Sequence, residues 1–388
     1  MKATPAALVE IFLRFFSLGF VSFGGPAAHI GYFRKYFVEK HRWLDDSSYA
    51  GLVALSQFLP GPGSSQVGFA VGMRRAGVLG GMSAFIGFTL PSFLLMYLLA
   101  TSLLLQQPSA VTDGIIHALK LLAVVVVADA AYGMFSNFCQ QRWSACVAVV
   151  TAAVLLLIPG IASQMIILLL AALIGSQAGY DPAPASPASV VRPRKGAAIL
   201  FLICGLVPLA FSQPLLELFQ AFYTSGSLVF GGGHVVLPLL QELVGDSIDT
   251  DRFLLGYSAA QAVPGPMFTL ASFLGAEMWQ QSPFLGALLA TLAIFLPGFL
   301  LLIAFHDSWV SLNQKPRIAA AIKGVNAAVV GLLISALYQP VFATAVSSAQ
   351  DFAIVLLGLL LLRGLKLNIL LLVSLFIAYG AGNYFYGV

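Results

Sequence analysis

Apolar stretches of membrane-crossing length follow one another along almost the whole chain. They run at about 8–30, 49–72, 77–105, 112–135, 143–158 and 160–178, then at about 197–212, 215–240, 253–278, 284–306, 318–339, 343–362 and 367–385. About twenty apolar residues in a helix span the hydrocarbon of a bilayer. Against them stand only 19 Lys+Arg and 15 Asp+Glu in 388 residues. Soluble domains carry about 25% charged residues, so this chain cannot coat itself for water. It reads as an all-α polytopic membrane protein, because helices satisfy their own backbone groups in lipid.

The same scarcity excludes several classes. No basic tract exists to meet phosphates, so nucleic acid is not an expected partner; the lipid bilayer is. Cys139, Cys146 and Cys204 form no CxxC or Cys/His cluster, so neither a metal nor a structural disulfide is indicated. No GxxxxGK[ST] loop and no HExxH motif occurs, which argues against an ATP-driven pump and a zincin, and no cofactor is expected. Arg14 interrupts the first apolar stretch and no clean cleavage site follows, so the N-terminus does not read as a signal peptide.

One segment is linker-like. Ala178 to Gly196 holds Pro182, Pro184, Pro187 and Pro193 with Arg192, Arg194 and Lys195. Its two sides repeat one another. Phe23–Gly24–Gly25 answers Phe230–Gly231–Gly232, Gln57-x-x-Pro60–Gly61–Pro62 answers Gln261-x-x-Pro264–Gly265–Pro266, Leu90–Pro91 answers Leu296–Pro297, and Leu119–Lys120 answers Ile322–Lys323. The offsets stay between about 203 and 207, which indicates two homologous repeats. The expected organisation is an N-terminal repeat at 1–178, a cytoplasmic linker plus connecting membrane helix at 179–214, and a C-terminal repeat at 215–388. One extra stretch (197–212) separates equivalent elements, so the repeats should enter the membrane from opposite faces, as in many secondary transporters.

The charges bear on the topology. Arg34, Lys35, Lys40 and Arg42 follow the first stretch, whereas the matching connection, Gln241 to Arg252, holds Glu242, Asp246, Asp249 and Asp251. If every stretch spans, the basic loop faces outward, against the positive-inside tendency. If the first two stretches of each repeat are re-entrant hairpins, the basic clusters fall inside and the acidic loop outside. That arrangement is preferred over thirteen plain spans. The expectation is two inverted repeats with broken or re-entrant helices and about 9–13 membrane segments. The N-terminus and linker would be cytoplasmic, the C-terminus outside.

Four breaks carry the chemistry. Gly24–Gly25–Pro26, Gly231–Gly232–Gly233, Pro60–Gly61–Pro62 and Pro264–Gly265–Pro266 free backbone groups that hydrocarbon cannot satisfy, so they should be buried in protein or line a polar cavity. A helix restarting after such a break offers free N–H groups and a positive dipole end, suited to an anion. Ser64 and Ser65 follow one break; Gln57 and Gln261 precede two. Lys120 and Lys323 lie inside apolar helices at repeat-related positions, where charge is costly and usually has a role. The competing reading is snorkelling to the interface. Asp129 is either a proton-coupling group or a structural partner of Lys120 or Arg142. His29 and His234 each follow an FGG break and either help bind an anion, titrate, or satisfy freed carbonyls. The Arg34–Trp43 segment reads as an interfacial amphipathic helix.

At these residues the chain resembles the chromate ion transporter family in its two-domain, long-chain form. The resemblance rests on FGGPAAHI (23–30), QFLPGPGSSQVGFAVG (57–72) and LPS (90–92) in the first repeat. In the second it rests on VFGGGHVVLPLL (229–240), AQAVPGP (260–266), IFLPGF (294–299) and KGVNAAVVGLL (323–333), which brings Asn326 into the candidate set. It implies export of chromate, with sulfate as a related substrate, across the inner membrane, and chromate resistance. A chromate- or sulfate-like oxyanion is thus the expected ligand, bound between the repeats and carried by alternating access, and a homodimer is the assembly considered. Rival readings are a transporter of another anion or metabolite, a passive channel and a membrane-embedded enzyme. The last lacks any visible nucleophile–base pair or metal cluster at depth.

Overall fold

The computed structural model describes residues 3–23, 25–105, 110–178, 194–230, 233–306 and 316–386. Among these residues every regular element is helical, and five helices are long and apolar enough to cross a membrane. The first repeat forms α1 (Pro5–Val21), α2 (Gly25–Phe33), α3 (Asp46–Phe58), α4 (Gly63–Leu105), α5 (Ala110–Phe138), α6 (Arg142–Leu157) and α7 (Ile161–Ala178). After α8 (Lys195–Leu206), the second repeat forms α9 (Pro214–Leu228), α10 (Val236–Val244), α11 (Thr250–Ala262), α12 (Leu270–Met278) and α13 (Pro283–Phe305). It ends with α14 (Pro316–Ala336), α15 (Ala349–Leu359) and α16 (Ile369–Tyr386).

Local chemistry explains many of the ends. Thr4 caps α1 through the Ala7 N–H, with Pro5 at the first position, where its missing N–H costs nothing. Asp45 caps α3 through the Ser48 N–H at 2.7 Å. The Ser47 hydroxyl, then the N–H and hydroxyl of Ser48, hold that carboxyl well below the usual carboxylate range. Ser348 and Asp351 form a reciprocal capping box at the start of α15.

The apolar stretches divide at their Gly/Pro breaks. The first becomes α1, which ends at Val21, and α2, which begins at Gly25; the second becomes α3 and the opening of α4, parted at Leu59–Pro62. Within α4, Ala76 and Gly77 leave helical geometry. The arms 63–75 and 78–105 fold back on each other so closely that a Cβ on Gly72 would collide with the Gly80 carbonyl. Gly275 on α12 meets Gly286 on α13 in the same way. The 13 residues of α3 make about 20 Å of helix, short of the roughly 30 Å hydrocarbon.

Two compact units result, and each draws on both repeats. Unit one comprises Met1–Thr101, Pro182–Val236 and Val263–Ala319. Phe15 stacks on Phe37 at 4.7 Å and meets Phe33 and Phe88 edge-on. Phe33 and Phe37 are fully buried, so the aromatic face expected at the membrane interface is core instead. Residues 34–40 form a π-helical turn, and Trp43 packs under the guanidinium groups of Arg14 and Arg75. The repeats also pack directly on one another, with Phe69 stacked on Phe299 at 4.5 Å and Phe85 against Phe295 at 5.0 Å.

Unit two comprises Ser102–Asp181, Leu237–Ala262 and Ala320–Val388. The helix α5 runs through its middle, with residues 121–127 buried. Near the start of α5, His117 meets Asp351 at 2.8 Å and Lys120 meets Asp251 at 2.6 Å; towards its other end, Asp129 meets Arg363 at 2.8 Å. The α6–α7 turn carries Gly160 beside Glu242. The acidic connection 241–252 therefore lies at the end of unit two where α5 begins and α6 turns into α7. The end of α7 lies at the opposite end, packing through Gly175 on Gly324 of α14. Residues 178 and 241 therefore lie at opposite ends of unit two.

Candidate functional site

Unit one brings breaks of the two repeats together through a reciprocal pair of backbone hydrogen bonds. The Gly61 N–H donates to the Val229 carbonyl at 2.7 Å, and the Gly265 N–H donates to the Ser22 carbonyl at 2.9 Å. Ser22 and Val229 are equivalent residues, each just before its FGG run. Each PGP turn is thus tied to the FGG break of the opposite repeat, the pattern a pseudo-two-fold axis produces. Gly61 has φ of +121° and Gly265 of +102°. A side chain is strained in that region whatever the space, and a Cβ on Gly61 would also stand 2.8 Å from the Gly298 Cα.

The geometry is symmetric but the chemistry is not. After the first PGP turn, α4 opens with Gly63–Ser64–Ser65–Gln66. The Gln66 N–H donates to the Pro62 carbonyl at 2.9 Å, so the N–H groups of Gly63, Ser64 and Ser65 precede the helix ladder and have no acceptor within it. His29 is fully buried here. Its Nε2 faces the Ser22 carbonyl at 3.1 Å, and its Nδ1 faces the Ser64 Oγ at 3.2 Å. A carbonyl can only accept, so Nε2 carries the proton and the Ser64 hydroxyl donates to Nδ1 of the neutral ring. The Ser65 Oγ, Ser22 Oγ, Thr89 Oγ1 and Gln66 Oε1 are buried without a hydrogen-bond partner. Gln66 also bridges the repeats, its Nε2 donating to the Pro60 carbonyl at 2.9 Å and to the Gly298 carbonyl at 3.0 Å.

The second PGP turn is followed by Met267–Phe268–Thr269–Leu270, all buried. The Pro266 carbonyl accepts both the Thr269 N–H at 3.0 Å and its hydroxyl at 2.7 Å. Gly233 packs against Met267 and Pro26. This opening is closed by apolar side chains, so the polar donors belong to the first repeat.

The other sequence candidates fall as follows. Gly24, Gly231 and Gly232 lie outside the described residues. Gly25 and Pro26 open α2, half-buried; Pro60 is half-buried and Pro62, Pro264 and Pro266 are buried. Gln57 is exposed on α3, His234 is half-buried beside Gly233, and Gln261 hydrogen-bonds Tyr257 in unit two. Lys120, also in unit two, is 8% exposed and ion-paired with Asp251. Lys323 is exposed on α14, and one turn on Asn326 is buried with its Oδ1 unpartnered. Asp129 pairs with Arg363 rather than with Lys120 or Arg142, and the Arg363 guanidinium lies 3.7 Å from the Tyr132 ring centre. Among the described residues no cluster of His, Cys, Asp and Glu could hold a metal ion.

Sequence reasoning missed Gln66, Ser22, Gly298 and Asp251. Gln66 closes the PGPGSSQ run and could have been singled out there. Ser22 and Gly298 act through backbone carbonyls, which residue identity does not advertise.

The comparisons agree with this two-repeat architecture. The family model described as Chromate transporter matches residues 9–176 and 216–382, once per repeat. A chromate transport protein of Pseudomonas aeruginosa is 28% identical over 85% of this chain and 80% of its own length. A chromate transport protein of Cupriavidus metallidurans is 26% identical over 94% of this chain and 90% of its own. An uncharacterized transporter of Methanocaldococcus jannaschii is 28% identical over 98% and 95%. No solved structure matches the chain. With both repeats matched and the FGG and PGP breaks interlocked across them, the chain belongs to the chromate transporter family.

Proposed function

We propose that the protein is a secondary transporter that exports chromate, with sulfate as a competing substrate, and that the opening of α4 is part of its anion site. The observation that carries this is the polar opening itself. Three unladdered N–H groups and the buried unpartnered Ser65 hydroxyl lie where the helix dipole favours negative charge. Oxyanions need several hydrogen-bond donors, and these are supplied without a buried lysine. The positive-inside tendency places the N-terminus and the linker in the cytoplasm and the acidic connection outside, with the repeats inverted. A negative interior drives a dianion outward with about 2.3 kcal/mol per charge per 100 mV, so export needs no ATP.

The test is uptake of radiolabelled chromate into inside-out vesicles, with sulfate, phosphate and organic acids as competitors. Losing one donor to a charged ligand costs about 1.5–3 kcal/mol, so Ser65→Ala should lower flux by about ten- to a hundredfold. Flux equal to that of the parent protein would remove the α4 opening from the site. Flux of an organic acid in place of chromate would keep the site and replace the substrate.

A further inference from the structure

Unit two holds a cavity of about 270 Å³ at the end where the α6–α7 turn meets the acidic connection. Its polar lining is Gln164, Gln241, Glu242, Ser335 and Gln339; the other lining residues are leucines, prolines, an alanine and Gly160, with no Lys, Arg or His among them. Gln164 is only 6% exposed. Its Oε1 is buried without a hydrogen-bond donor, and so is that of Gln241. Buried polar atoms in folded proteins are almost always satisfied, and those left over ask for a ligand or water. Both orphans are acceptors, and the one ionisable group lining the cavity is a carboxylate.

Gly160 shapes the site. Its φ is +132°, a region that side chains rarely adopt, and a Cβ there would stand 3.8 Å from the Glu242 Oε1. The α6–α7 turn can therefore run close beside the carboxylate.

We propose that this cavity binds a hydrated monovalent cation, sodium in the first instance, through the Glu242 carboxylate and the carbonyl oxygens of Gln164 and Gln241. Hard cations take carboxylate, carboxamide and water oxygens. The lining offers a single carboxylate, whereas a dehydrated divalent ion calls for more. A shell of about six waters at roughly 30 Å³ each occupies about 180 Å³, which the cavity accommodates with room for the side-chain ligands. An anion is disfavoured because the one charged group lining the cavity is the Glu242 carboxylate and no Lys, Arg or His faces it. Glu242 is exposed, so the ion has a route in. The site is separate from the α4 opening and does not depend on which anion is carried.

The experiment is equilibrium binding of radioactive sodium to the purified full chain in nanodiscs, displaced by unlabelled sodium, potassium and choline chlorides. Saturable binding displaced by sodium and not by choline is expected, with Glu242→Gln weakening it at least tenfold and Gln164→Leu at least threefold. Glu242→Gln changes an exposed, nearly isosteric group, so it reads the site even where Gln164→Leu fails to fold. Absence of saturable binding, or unchanged binding in Glu242→Gln, would overturn the proposal. Chromate flux in vesicles is measured on the same preparation. Sodium binding without chromate flux leaves the cation site standing and removes the substrate reading; chromate flux without sodium binding does the reverse.

Discussion

Single residues here are constrained mainly by backbone geometry at the crossing of the two repeats. Gly61 combines a φ of +121° with a neighbour at 2.8 Å, so Gly61→Ala is opposed both by strain and by the Gly298 backbone. Strained positions of this kind cost about 1–3 kcal/mol each, and detergent-solubilised Gly61→Ala should melt several degrees below the parent protein. Gly63→Ala is the control: its Cβ would meet nothing closer than 3.5 Å, and its melting point should stay within about a degree of the parent's. A drop for both variants would mean that the loss comes from helix opening in general. Sequence patterning flagged this turn through its prolines and glycine. It could not show that Gln66, 232 residues from Gly298 along the chain, would close it.

At the scale of elements, α5 and α11 are joined by one ion pair of unequal partners. The Lys120 side chain is 10% exposed and that of Asp251 is 50% exposed. Removing one partner of a buried pair leaves the other charge uncompensated, and the cost depends on which one is stranded. Asp251→Asn strands the buried ammonium and should destabilise by about 2–4 kcal/mol, read as a loss of thermal stability. Lys120→Met strands a half-exposed carboxylate and should cost clearly less. The double variant should recover part of the Asp251→Asn loss. Equal losses for the two single variants would show that the pair contributes little beyond packing. The lysine was legible in sequence as an odd charge in an apolar helix. Its partner lies in a connection whose sequence stands out only by its acidity.

For the whole molecule, the position of the acidic connection separates nine spans from thirteen. In a version with Cys139, Cys146 and Cys204 replaced, a cysteine at Ser247 should react with an impermeant maleimide added to intact cells. One at Lys366 should react only after permeabilisation. Both positions are exposed, so poor reactivity would not come from burial. Labelling of both from the same side would contradict a re-entrant arrangement of α11–α12, the broken stretch that lies between them. The exposed leucines and isoleucines of α6, α7 and α8, such as Leu157, Leu169, Leu173 and Ile199, suit a chain whose solvent is hydrocarbon, where an apolar surface carries no penalty.

Sequence alone determined the solvent, the helical class, the repeat and the four breaks, because each follows from composition, local periodicity or residues close together in the chain. Basic and acidic connections favour an arrangement in which the first two stretches of each repeat turn back, since charge sorting acts loop by loop. The tertiary structure decided what those features touch. Equivalent turns interlock by the same backbone bonds, yet one opens on serines and the other on Met267 and Phe268. Equivalent lysines differ too, one buried against Asp251 and the other exposed. Repeat symmetry in sequence fixes where the chain bends, whereas burial and pairing depend on distant side chains that the repeat does not conserve between its two copies.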